Sequence, residues 1–195
     1  MMRSLFPPRR VLLAGLGAAL LAACSSGPSP TTFDLSAPSQ KVRGGSVRGQ
    51  VVVAEPVTVQ TFEADRIIVK DPSGAVSFLG GGQWADRLPR LVQARLVQTF
   101  ENASRLKAVS RPGERITADF QLNTEIRAFN IDSATGEALV EISAKVVDDR
   151  TGRITTARVF SARVPVGAVE AGAAARALDQ ALSQVLLGIV RFVGA

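Results

Sequence analysis

No histidine and no tyrosine occur in this chain, and cysteine and tryptophan occur once each. Without histidine the chain loses the usual general base at neutral pH, the commonest metal-binding side chain and every Ser-His-Asp or Cys-His triad. One cysteine cannot close an intrachain disulfide, so the fold must rest on its apolar core. Ser77, Ser104 and Ser110 stand in no nucleophile-elbow or Ser-x-x-Lys pattern. Asp148 and Asp149 are adjacent acids, but the following Arg150-Thr151-Gly152 makes them part of a solvated turn. Gly80-Gly81-Gly82 lacks the Gly-Lys-Ser/Thr sequel of a phosphate loop. No Lys/Arg cluster with interleaved aromatics points to nucleic acid. The expectation is a protein that is not an enzyme and holds neither a metal nor a small-molecule cofactor.

What the chain does contain begins with a leader. Arg3, Arg9 and Arg10 precede an apolar or small-residue run over 11–21, and Ala22-Ala23 supply small residues before a cleavage point. The run is too short for a bilayer span, which takes roughly 20 residues. Leu21-Ala22-Ala23-Cys24 reads as a bacterial lipobox, with 1–23 as the signal peptide. Cys24 would then be the first mature residue and would carry a thioether-linked diacylglycerol and an N-acyl chain such as palmitate. Each buried methylene adds about 0.8 kcal/mol, and two or three chains anchor a protein stably. Ser25 follows in place of the Asp that usually retains a lipoprotein in the inner membrane. The expected location is therefore the periplasmic side of the outer membrane. Removing the leader takes the formal net charge from +6 to +3, a weakly basic surface suited to anionic lipid.

The mature part is long enough for one domain with its own core. Its Ser, Pro and Gly content makes 24–48 read as a tether, with Thr32-Phe33-Asp34-Leu35 alternating like a short edge strand. The domain proper is then 49–195. Gln50–Ala54 and Ile67–Lys70 read as strands, and Asp71-Pro72-Ser73-Gly74 turns the second into a hairpin arm over 75–79. Asp86 is a candidate N-cap for a helix opened by Gln83-Trp84-Ala85. Leu88, Leu91, Val92, Leu96 and Phe100 form its apolar face, and Gln93 falls among the polar residues. A short strand follows over 105–109. Phe120, Leu122, Ile126 and Ala128 then alternate with polar residues, and after a loop over 130–137 so do Val140, Ile142, Ala144 and Val146. With a third strand over 153–164 this makes a meander. An Ala-rich helix over 166–193 closes the chain, with Ala174, Leu178, Leu182, Val185 and Ile189 on one face. The fold class is α+β: a single domain whose mixed, mostly antiparallel sheet carries two long amphipathic helices.

This order is similar to that of a known family. After the lipobox come Thr32-Phe33-Asp34-Leu35, the strand before Pro56, Ala64-Asp65-Arg66-Ile67-Ile68-Val69 and Gln83-Trp84-Ala85-Asp86-Arg87-Leu88-Pro89. Together with the meander and terminal helix they resemble the ABC-type transport auxiliary lipoproteins, which include the lipoproteins of paraquat-inducible-type operons. Members often carry Tyr-Tyr where this chain has Thr32-Phe33. The resemblance implies an accessory of a lipid-moving system with an ABC permease, an ATPase and a mammalian-cell-entry (MCE) domain protein that forms a periplasmic conduit. The lipoprotein would dock that conduit at the outer membrane, with Arg66 and Trp84 as candidate partner-binding residues. Arg66 has a second reading, an ion pair to Asp65 or Asp86. Trp84 has one too, a core anchor. A structural envelope lipoprotein assisting outer-membrane or peptidoglycan assembly is the alternative function. Association with further copies of the chain, as a homo-oligomer, is compatible with either function. Lipidation is directly testable: Cys24→Ser should abolish incorporation of labelled palmitate into the protein in growing cells, whereas the natural chain should carry the label.

Overall fold

A computed structural model describes residues 29–40, 49–103, 108–168 and 170–194. The leader, the lipobox and Cys24 lie outside the described residues. Among the described residues nine strands form one sheet. They are β1 (Thr31–Phe33), β2 (Gln50–Val53), β3 (Val57–Thr58), β4 (Arg66–Lys70), β5 (Val76–Trp84), β6 (Ala108–Ser110), β7 (Phe120–Asp132), β8 (Glu137–Asp148) and β9 (Ile154–Pro165). Two helices accompany them, α1 (Leu88–Ala103) and α2 (Ala171–Val193).

β7 is the central strand. Along one edge it pairs antiparallel with β8 from Phe120 opposite Asp148 to Asp132 opposite Glu137. Along the other edge three short strands pair with it in parallel and in succession. β2 takes Phe120–Leu122, β3 takes Glu125–Ile126, and β4 takes Ile131–Asp132. β9 continues the meander beyond β8, β6 lies beyond β2, and β5 and then β1 lie beyond β4. The sheet is thus mixed: its long ladders are antiparallel, and most of its short joins are parallel.

The expected phase of β7 fails halfway along. Leu122 and Ile126 are buried as expected, but a bulge at Arg127 sets Ile126 opposite Ile142 and Ala128 opposite Glu141. One extra residue inverts every later side chain. Phe129 and Ile131 therefore face the core, and Ala128 turns to the other side. On β8 the alternation holds unbroken, with Ala138, Val140, Ile142, Ala144 and Val146 buried.

Both helices cover this same face. α2 lies over β8 and β9 and reaches β5, while α1 packs against α2, β2 and β6. The expected stripe of α2 from Ala174 to Ile189 is almost completely buried. The helix begins at Ala171, later than expected. Its start packs tightly on the sheet. At Gly82 an added Cβ would lie 2.6 Å from Ala171 Cβ and 2.8 Å from Phe33 Cε2. Four residues, 79–82, bulge out of the β4–β5 ladder. Gly81 adopts φ +79° there, in the left-handed region that glycine enters without strain. The glycine run thus bends β5 without ending it.

Three further expectations are corrected. Gln83 and Trp84 close β5 and do not open the helix, which starts at Leu88. The Trp84 and Leu88 amides donate to the carbonyls of Asp65 and Ala64. Asp86 accepts from the adjacent Arg87 amide rather than from inside the helix, so it is not the N-cap expected of it. Gln93 is buried, and its Nε2 donates to the Val53 carbonyl 2.9 Å away, meeting a strand-end acceptor with a helix side chain. The edge strand expected around Thr32–Leu35 is present, and its neighbours are held as well. β1 pairs with β5, Leu35 is buried, Ser36 donates to Asp179, and Asp34 pairs with Arg95.

The indole of Trp84 is 1% exposed and meets Phe129 edge to face at 5.8 Å. Trp84→Ala should cost about 3–5 kcal/mol, and Gly82→Ala about 1–3 kcal/mol through overpacking. Urea unfolding followed by far-ultraviolet circular dichroism measures both.

Candidate binding face

The helices leave the opposite face of the sheet open. Along this outer face run Gln121, Asn123 and Glu125 of β7, Leu139, Glu141 and Lys145 of β8, and Ile68 and Lys70 of β4. Such a face should be polar, because neither helix covers it among the described residues. At two corners it is not.

The first corner lies at the β4–β5 hairpin, beside the C-terminal end of β7. A cavity of about 440 Å³ opens there. Phe62, Ile68, Ala128 and Leu139 give it an apolar floor. Phe62 and Ile68 are buried. Lys70, Asp71, Arg127, Asn130 and Asp132 supply a polar wall, and Val59 and Val76 stand at the mouth. Val59 is 62% exposed and Val76 47%. Beside Val76 on the same strand face, Phe78 is 55% exposed.

Charges at this corner are largely spoken for, with the exceptions of Lys70 and Arg66. Arg127 pairs with Glu141 at 3.8 Å, and Asp132 with Arg163 at 3.7 Å. Asp71 accepts from the Ser73 and Ala75 amides and from Ser73 Oγ. The Ser73 hydroxyl, followed by those amides, holds its carboxyl below the usual carboxylate range. Lys70 projects at the rim with no ion pair among the described residues.

Arg66 lies on this corner. It is exposed, and its guanidinium stands 5.5 Å from the Phe78 ring centroid, a cation–π contact. The expected ion pair to Asp65 or Asp86 does not form. Asp86 pairs with Arg90 instead. The structure separates the two candidate partner-binding residues. Arg66 offers surface, whereas Trp84 is enclosed in the core and offers a partner none, which corrects that candidate.

The second corner lies at the start of β9, beside the N-terminal end of β7. Ile154 is 58% and Val159 44% exposed. β9 pairs only with β8, so its far edge is unpaired among the described residues. The adjacent turn is the solvated one expected. Asp148 accepts from the Thr151 amide and hydroxyl, with the hydroxyl bond chiefly depressing its pKa.

Sequence reasoning missed Val59, Phe78, Ile154 and Val159. Each sits in a strand-like context, where alternation alone does not say whether anything covers the apolar side. Among the described residues no three potential ligands gather to hold a metal ion, and no helix is long and apolar enough to cross a membrane. The face thus combines exposed apolar groups with few unpaired charges.

Known proteins share this architecture. Protein XCC0632 from Xanthomonas campestris superposes with a TM-score of 0.78 at 24% identity, covering 84% of this chain and 95% of that one. A second crystal structure, of an uncharacterised protein, gives 0.64 at 12% identity over 85% of this chain and 99% of its own. Both likenesses concern the fold. In sequence, the chain is 34% identical over 160 residues to the uncharacterised protein bll6063 of Bradyrhizobium diazoefficiens. That match covers 79% of this chain but only 42% of the relative, so the chain spans less than half of that protein's length. The model of the ABC-type transport auxiliary lipoprotein component matches residues 32–190, from β1 almost to the end of α2, and the chain belongs to that family.

Proposed function

We propose that this chain is the lipid-anchored accessory of an ABC-type lipid transport system, and that it docks the system's MCE-domain conduit at the periplasmic side of the outer membrane. Family membership supports a transport auxiliary rather than an enzyme. The observation that carries the docking reading is the pair of exposed apolar groups, Ile154 and Val159, on the uncovered sheet face along β9. Natural sheets blunt such surfaces unless a partner uses them. Diacylglycerol and an N-acyl chain on Cys24 would hold the domain at the membrane. The permease and ATPase of the system would supply the energy.

The partner surface on this reading is the β9 corner. Ile154 and Val159 provide apolar anchors, and the unpaired edge of β9 provides main-chain donors and acceptors for strand addition. Affinity purification of the membrane-extracted protein in mild detergent, with mass spectrometry, tests this. An MCE-domain protein should be recovered together with a permease and an ATPase. Ile154→Asp should lower that recovery about tenfold, the effect of losing one interface anchor. Recovery of peptidoglycan synthases, or of abundant porins alone, would favour the structural envelope alternative.

A further inference from the structure

The hairpin corner sits where an anchor on Cys24 would bring it to lipid. β1 is the N-terminal strand of the described domain, and it pairs in parallel with β5, Thr31 opposite Gly82 and Phe33 opposite Trp84. The upstream end of β1 therefore points toward the upstream end of β5, where Val76 and Phe78 are exposed. Five residue steps separate Cys24 from Ser29, the first residue described. At no more than 3.6 Å each, they reach at most about 18 Å. The acyl chains can then enter a bilayer only close to this edge of the sheet.

The chemistry of the corner matches that surface. Val59, Val76 and Phe78 are apolar and exposed, and Ile68 lies buried behind them. Arg66 and Lys70 flank Ile68 on the same face of β4, and Ile68 and Lys70 stand opposite Phe78 and Val76. Apolar tips set between two long cationic side chains suit the headgroup boundary of an anionic bilayer, where such cations reach phosphate while their stems lie along apolar surface. The nearby Asp71 does not undo this, because its carboxylate is taken up by three donors in its own turn.

We propose that Val76 and Phe78, flanked by Arg66 and Lys70, form the membrane-facing surface of the domain and rest in the lipid headgroup layer. The inference depends on the lipid anchor of the proposed function. It assigns Arg66 to lipid phosphate, not to a protein partner, and it turns the mouth of the 440 Å³ cavity toward the bilayer.

Trp84 makes a simple test available. Its enclosed indole is shielded from lipid-borne quenchers, so the natural chain provides a constant, unquenched emission to subtract. The lipidated full chain carrying Phe78→Trp, which keeps an aromatic ring under Arg66, is reconstituted into vesicles of phosphatidylethanolamine and phosphatidylglycerol. Brominated acyl chains should quench its added emission about twofold or more, as a ring at the acyl boundary requires. Ile154→Trp, at the other corner, should be unaffected. Equal emission of Phe78→Trp in brominated and plain vesicles would overturn the inference. So would Phe78→Asp abolishing recovery of the MCE-domain partner in detergent, since the corner would then belong to that protein. An N-terminal peptide whose mass shows no acyl chains would remove the anchor, and with it the docking reading itself.

Discussion

The structure depends on β7 being hydrogen-bonded along both edges. On one side the bonds come from its sequence neighbour β8 through a short turn. On the other they come from β2, β3 and β4, all of which precede it by dozens of residues. Every parallel join requires a long crossover, and contacts between such distant segments make folding slow relative to a local meander. Local contacts favour early formation of the β7–β9 meander, with β7 then offering an edge to the earlier segments. The Arg127 bulge matters most within it. Without the inserted residue, Phe129 and Ile131 would point outward, and the indole of Trp84 would lose its edge-to-face neighbour.

Placing both helices on one face has a consequence for function. α2 runs beneath the meander and toward β5, and α1 completes the layer over β2 and β6. One helix layer over one sheet buries a core sufficient for a domain of this size. The second face is then free to be specialised. Most of it carries ordinary polar residues, so the apolar groups at its two corners are departures from the pattern and not overflow from the core.

Sequence made the periodic parts of this fold legible. The stripe of α2, the alternation of β8 and the apolar face of α1 depend only on regular geometry, and all were buried as expected. The hairpin at Asp71–Gly74 was readable from its turn chemistry. What escaped was whatever depends on a distant neighbour. β3 is two residues long and exists because β7 offers an edge there. Gln93 looks solvent-facing on a helical wheel, yet it points at a strand-end carbonyl that no wheel contains. The edge strand near Thr32 was readable from its alternation, but the ties of Asp34 to Arg95 and of Ser36 to Asp179 were not. Of the candidate site, Arg66 was legible as a residue and not as a partner of Phe78. Trp84 was legible as an anchor, and only its depth decided between core and surface.

The proposed lipid anchor accounts for how a small surface can suffice at the hairpin corner. One phenylalanine and two valines, half exposed, would bind a bilayer only weakly if the domain were free in solution. A chain fixed to the membrane by its acyl groups meets the bilayer at an effective concentration set by a few residues of linker, in the millimolar range for short flexible connections. The corner then need only choose an orientation among those the tether already allows. A surface of this strength would settle the domain with β5 toward lipid and the β9 edge away from it, and still release when a partner pulls. The weakness of the patch is consistent with its placement beside the N-terminal strand: had it lain at the β9 corner, no tether would have been near enough to make it useful.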